Sequence, residues 1–99
     1  MEIIESNINH LQKLCKQYKV LRLYIFGSIL TNRFNEKSDI NFLVDFDKVN
    51  MLDYADNFFD FKYSLQDLFH RNIDLLETKA ITNPYLKNNI DKTKQLIYR

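Results

Sequence analysis

A single glycine stands in this chain of 99 residues, at position 27, directly after the largely apolar run Leu21-Arg22-Leu23-Tyr24-Ile25-Phe26. A chain can do without glycine almost everywhere except where the backbone needs a positive φ or a neighbour comes too close for a Cβ. One glycine kept at the end of a strand-like run therefore marks such a place. Ser28 follows at once and opens the next turn. A strand that ends in a tight Gly-Ser turn leaves backbone N–H groups and a hydroxyl free above the strand end, an arrangement suited to a phosphate.

The stretch that follows extends this reading. Residues 21–26 read as one strand and 40–46 as a second, with a short helix or loop between them carrying Ile29, Leu30 and Phe34. Asp39 and Asn41 are two apart, so on extended backbone they project to one face and share the space above the turn. In the first strand Leu23 and Ile25 alternate with Tyr24 and Phe26, so both faces are apolar, which predicts a central strand. Farther on, Asp74 lies within the apolar segment Ile73-Asp74-Leu75-Leu76. Aspartate is disfavoured inside a strand unless something uses it, which makes Asp74 a third candidate site residue, to be set beside Asp39 and Asn41.

The helices frame these strands. Ile3, Ile4, Ile8, Leu11, Leu14, Cys15 and Tyr18 fall at helical spacing, with acidic residues early and lysines late, as the helix dipole favours. From Asn50 to Arg71, the residues Met51, Tyr54, Phe58, Phe61, Leu65 and Leu68 step by three and four, predicting a helix of about five to six turns capped by Asn50. Its aromatic residues outnumber what one core stripe uses, and Tyr54, Phe58, Phe61 and Tyr63 are candidates for a partner surface. Asn83-Pro84 reads as a helix start. Leu96-Ile97-Tyr98 reads as a last strand or helical turn. The expected fold class is α+β, a small mixed β-sheet with helices packed mainly on one face, forming a single domain over 1–99.

Charge and composition exclude several classes. Fourteen basic against thirteen acidic residues leave a net charge of +1, too little for a footprint on duplex nucleic acid. No apolar run approaches the length of a membrane span, and no signal-peptide pattern opens the chain. The lone Cys15 sits on an apolar stripe as a core residue and fits a reducing cytoplasm. His10 has no ligand-spaced companion, and the chain offers no Ser/His/Asp set and no phosphate-loop lysine.

The combination of Phe26-Gly27-Ser28, a gap, and Ser38-Asp39-Ile40-Asn41-Phe42-Leu43-Val44 resembles the signature of minimal nucleotidyltransferase (MNT) domains of the DNA polymerase β-like superfamily. Arg71-Asn72-Ile73-Asp74-Leu75-Leu76 is similar to the family strand that bears its third carboxylate, and Asn83-Pro84-Tyr85-Leu86 to its closing helix. The resemblance implies that Gly27 and Ser28 hold nucleotide phosphates. It also implies that Asp39, Asn41 and Asp74 form the catalytic and metal-binding set. Two positions depart from the pattern. Asn41 stands where the family carries its second aspartate, and Thr31 stands where an arginine is frequent. Arg33 either replaces that arginine as a phosphate contact or is a solvated surface charge.

The implied chemistry is attack of a hydroxyl on the α-phosphate of a nucleoside triphosphate, most simply ATP, with magnesium held by hard oxygen ligands. An amide at position 41 keeps an oxygen donor but supplies no charge, so one magnesium ion is expected rather than two. Two functions follow from the resemblance. The first is transfer of AMP to a hydroxyl on a partner protein, impaired by Asn41. The second is a catalytically degenerate antitoxin-type module that binds a small helical HEPN-type partner. A homodimer is the other assembly that the aromatic helix suits.

Overall fold

The computed structural model describes residues 2–99. Two short helices open the fold, α1 (Glu2–Glu5) and α2 (Ile8–Gln17). The amphipathic periodicity predicts one continuous helix here, but the chain turns at Ser6 and Asn7. The Ser6 hydroxyl donates to the Glu2 carbonyl at 2.8 Å, and the Asn7 side-chain amide donates to the Ile3 carbonyl at 2.9 Å. Side chains that bond back to the previous turn compete with helix continuation, and two in succession end α1.

Strand β1 (Val20–Phe26) runs into a 3₁₀ turn at Gly27–Leu30, and β2 (Ile40–Phe46) follows after a loop. Helix α3 (Tyr54–Phe69) leads to β3 (Ile73–Glu77), a second 3₁₀ turn (Thr78–Ala80), α4 (Pro84–Thr93) and β4 (Gln95–Tyr98). The sheet order is β3-β2-β1-β4. β1 pairs antiparallel with β2 and β4, and β2 pairs parallel with β3. A parallel pair needs a long crossover, which α3 supplies. The fold is therefore the expected α+β architecture with a mixed sheet, and β1 is central as its two apolar faces predict.

The helix predicted over 50–71 is shorter than the periodicity suggests. Asn50 caps a local turn, its side-chain oxygen accepting from the Leu52 amide at 3.1 Å, and α3 begins only at Tyr54. Met51 and Leu52 lie before the helix with 89% of each exposed, so they contribute nothing to the core. Asn83 caps α4 as predicted, accepting from the amides of Tyr85 and Leu86, with Pro84 at the first helical position.

The alternation of β2 divides the core. Ile40, Phe42, Val44 and Phe46 face α1, α2 and α3, where Leu11, Cys15, Phe61 and Leu65 are fully buried against them. Each large apolar side chain buried there contributes about 1.5–3 kcal/mol. The opposite face carries a smaller cluster in which Phe26 and Leu43 pack on Ile90 of α4, with Tyr24, Leu76 and Ile81 around them. Helical cover is thus concentrated on one face. The other face is open toward one end of the sheet, where the candidate residues lie.

Candidate functional site

At that end β1 finishes while β2, β3 and β4 begin. Register brings the candidate side chains together: Asn41 is opposite Phe26 on β1 and opposite Asp74 on β3. Leu43 and Leu76 also pair and belong to the α4-side cluster, so Asn41 and Asp74, two residues earlier on their strands, point to that same face. Adjacent strands lie about 4.8 Å apart, which makes these two side chains direct neighbours. Asp39 precedes β2 by one residue, and continuing the strand alternation puts it on the same face. Asp39 and Asp74 are exposed, and Asn41 is half-buried between them and β1.

Gly27 has φ +80°, a left-handed conformation that favours glycine. A Cβ built on it would collide with the side-chain nitrogen of Asn41 and approach its Cγ at 3.4 Å. Both reasons for an obligatory glycine therefore hold at this position. Ser28 is half-buried in the 3₁₀ turn beyond it. Thr31 closes that turn, its amide and hydroxyl both donating to the Ser28 carbonyl at 2.9 and 2.8 Å. Thr31 also accepts from the Arg33 amide at 3.2 Å, so it shapes the backbone at the position where an arginine is frequent. Arg33 itself is exposed. A hollow of about 460 Å³ adjoins the turn, lined by Gly27, Leu30, Thr31, Thr93 and Gln95.

The loop that carries Asp39 has its own bracing, which the sequence did not reveal. Asn35 and Ser38 close a turn on each other, and Arg71 reaches across from the start of β3 to that turn's carbonyls. Arg71 reads from sequence as a cation at a helix C-terminus, a position that needs no further role. Side chain-to-carbonyl contacts of this kind leave no spacing signal.

Among the described residues no group of three or more His, Cys, Asp or Glu side chains is gathered to hold a metal ion. At the sheet end the acidic groups number two, with Asn41 between them. All three side chains still present hard oxygen atoms, the donor type that magnesium takes, so the set fits a magnesium ion of reduced ligand charge.

A small mixed sheet with a Gly-Ser turn at the end of one strand, and an acidic side chain just before the second strand and another on the third, has the architecture of a nucleotidyltransferase. The chain belongs to the family described as polymerase beta, nucleotidyltransferase, whose sequence model matches residues 9–99. It is similar to a Methanocaldococcus jannaschii protein provisionally named a protein adenylyltransferase, 42% identical over 97 residues that cover 98% of this chain and 94% of that protein. Among solved structures, one provisionally described as a minimal nucleotidyltransferase superposes with a TM-score of 0.77 at 21% identity, covering 95% of this chain and 92% of that one. The MNT antitoxin–HEPN toxin complex of Shewanella oneidensis, with the toxin tri-AMPylated, gives 0.65 at 18% identity, covering 95% of this chain and 71% of the matched one. At those identities the structural likenesses show the fold. No helix among the described residues is long and apolar enough to cross a membrane.

Proposed function

We propose that this protein is a cytoplasmic nucleotidyltransferase that binds ATP with magnesium and transfers AMP to a hydroxyl on a partner protein, at a rate lowered by Asn41. The observation that carries this reading is the convergence of the Gly27–Ser28 turn, Asp39, Asn41 and Asp74 at one end and on one face of the sheet. In the reaction the acceptor oxygen forms a bond to the α-phosphorus, the bond to the β-phosphate oxygen breaks, and pyrophosphate leaves. Magnesium, where bound, neutralises charge on the phosphates. The turn amides and the Ser28 hydroxyl orient the β- and γ-phosphates. Asp39 and the Asn41 oxygen would hold the metal, and Asp74 lies beside them where it would share in holding it and accept the acceptor's proton.

The neutral amide at 41 is the main brake. Unit charges 4 Å apart interact by about 4 kcal/mol at an effective dielectric of 20, before desolvation offsets, so one missing carboxylate beside a dication is a large loss. The relatives support the donor class: the M. jannaschii protein bears the name of a protein adenylyltransferase. Titration calorimetry with ATP in magnesium and in EDTA tests the reading, with tighter binding in magnesium expected and lost in Asp39→Ala. Equal affinity in both conditions, or no binding at millimolar ATP, refutes it.

A second reading rests on a different surface. Phe59 and Tyr63 on α3 are 47% and 56% exposed, their rings stack at 6.3 Å, and Met51 and Leu52 project nearby in sequence. Beside Phe59 an apolar groove of about 430 Å³ runs between α3 and β3. Of the other residues expected to meet a partner, Tyr54 and Phe58 are half-buried against Phe46 and Phe61 is fully buried beside it, and the Tyr54 hydroxyl donates to Glu77. This patch supports an antitoxin-type module that pairs with a helical HEPN-type protein, as the MNT protein of S. oneidensis does with its toxin. The two readings share the partner and differ in whether AMP is transferred.

A further inference from the structure

The two acidic residues of the site lie on different segments, and something has to hold those segments in a fixed relation. Asp39 ends a loop of nine residues that leaves the Gly-Ser turn at Thr31 and has no regular structure of its own. Its peptide neighbours on both sides are tied to one dipeptide at the start of β3. On one side, Arg71 Nη1 donates to the Ser38 carbonyl at 2.9 Å and to the Asn35 carbonyl at 3.0 Å. On the other, the Ile40 amide donates to the Asn72 carbonyl at 3.2 Å. The Arg71 guanidinium also lies 4.6 Å from the centre of the Phe34 ring, which anchors the loop to the core. Asp74 follows Asn72 by two residues.

We infer that Arg71 is a positioning residue for the metal–nucleotide site. It fixes the peptide that carries Asp39 at a set distance from Asp74, and it rests on the nucleotidyl-transfer reading above. Hydrogen bonds from a cation to carbonyls are stronger than neutral ones, and the two N–H groups of Nη1 hold both carbonyls at once. Arg71 directs its donors to main-chain oxygens, so it leaves the charge of Asp39 free for a cation. Replacing partners that orient a metal ligand typically costs about 10–100-fold in metal affinity.

The test is a double-mutant cycle on the full chain, read as the ratio of ATP affinity in magnesium to that in EDTA. Arg71→Met keeps the stem over Phe34 and removes both hydrogen bonds. It should lower that ratio by about tenfold in the wild-type background and leave it unchanged in the Asp39→Asn background, because its action passes through Asp39. Arg71→Lys should recover part of the loss, and it serves as the working variant if Arg71→Met fails to fold by circular dichroism. An equal drop in both backgrounds, or loss of thermal stability with the magnesium ratio intact, assigns Arg71 a merely structural role and overturns the inference. A wild-type protein with no magnesium dependence overturns the nucleotidyl-transfer reading instead, and the inference falls with it. The wild-type arm therefore separates the two failures.

Discussion

The side-chain amide of Asn41 occupies the space that a Cβ on Gly27 would need, so the residue that departs from the family pattern is packed against the turn that keeps it. Gly27 also sits at φ +80°, and the left-handed region costs an ordinary residue about 1–2 kcal/mol. Gly27→Ala should therefore destabilise the fold by at least about 2 kcal/mol, strain and collision together. Asn41→Ala removes the colliding group and leaves the backbone strain. In urea unfolding the double variant should be more stable than the sum of the two single losses predicts. Strict additivity would show that the amide and the turn do not meet.

Burial of Cys15 sets a limit at high pH. The side chain is fully buried between α2 and the sheet, and burial pushes its thiol from 9.0 up to about 12. With the folded value raised, its contribution is fully present below pH 9.0 and is lost as pH rises toward 12. Within that window, stability should fall by about 1.4 kcal/mol per pH unit from this one group. Tyrosines and lysines also titrate there, so the measurement is a difference. Urea midpoints of wild type and Cys15→Ala, compared at pH 8 and pH 10.5, should converge or cross as pH rises. Parallel pH profiles would mean that the thiolate is tolerated inside the fold.

The exposed aromatic pair on α3 predicts an assembly defect without a folding defect. Phe59→Ser and Tyr63→Ser should each change stability by no more than about 0.5 kcal/mol, as exposed positions do. Where this patch meets a partner, each should weaken association by on the order of 30-fold, the size of an aromatic hot spot. Urea unfolding gives the stability change, and sedimentation of the protein alone and with a candidate HEPN-type partner gives the change in association. Retained assembly in the double variant would place the interface elsewhere.

Much of this architecture is legible in the sequence, and the parts that are not share a physical cause. The strands around Gly27 and Asn41 are readable because period-two alternation and a lone glycine are local signals. Asn83-Pro84 is readable because capping is local too. The start of α3 is misread because Met51 continues the helical spacing by chance, and spacing carries no information about where the sheet stops offering a surface. The same ignorance of the sheet's extent exchanges Tyr54 and Phe58, which pack on Phe46, with Phe59, which does not. Arg71 escapes notice because its partners are the main-chain carbonyls of Asn35 and Ser38, which every residue possesses. The need for glycine at 27 is visible in the chain, while its second cause, the amide of Asn41, exists only in the folded register.

Restoring the carboxylate at 41 tests what the amide costs. Asn41→Asp is nearly isosteric, and the neighbouring scaffold is in place: Asp74 is in register across β3, and Asp39 lies two residues before. With labelled ATP, magnesium or manganese and a suitable partner protein, nucleotidyl transfer should rise by about a hundredfold or more, the scale of one electrostatic contributor to a transition state. Without metal the same change should lower stability, because like charges side by side on neighbouring strands repel. Magnesium with ATP should reverse that loss, since a ligand that binds only the folded state stabilises it. The gain in activity and the metal-dependent recovery of stability have one origin and should appear together. Two results count against the idea. A wild type that already transfers as fast as the variant shows that the amide is an adequate ligand. A variant that binds magnesium and ATP tightly but stays inert moves the defect away from position 41, with Thr31 in place of the family's frequent arginine as the next residue to change.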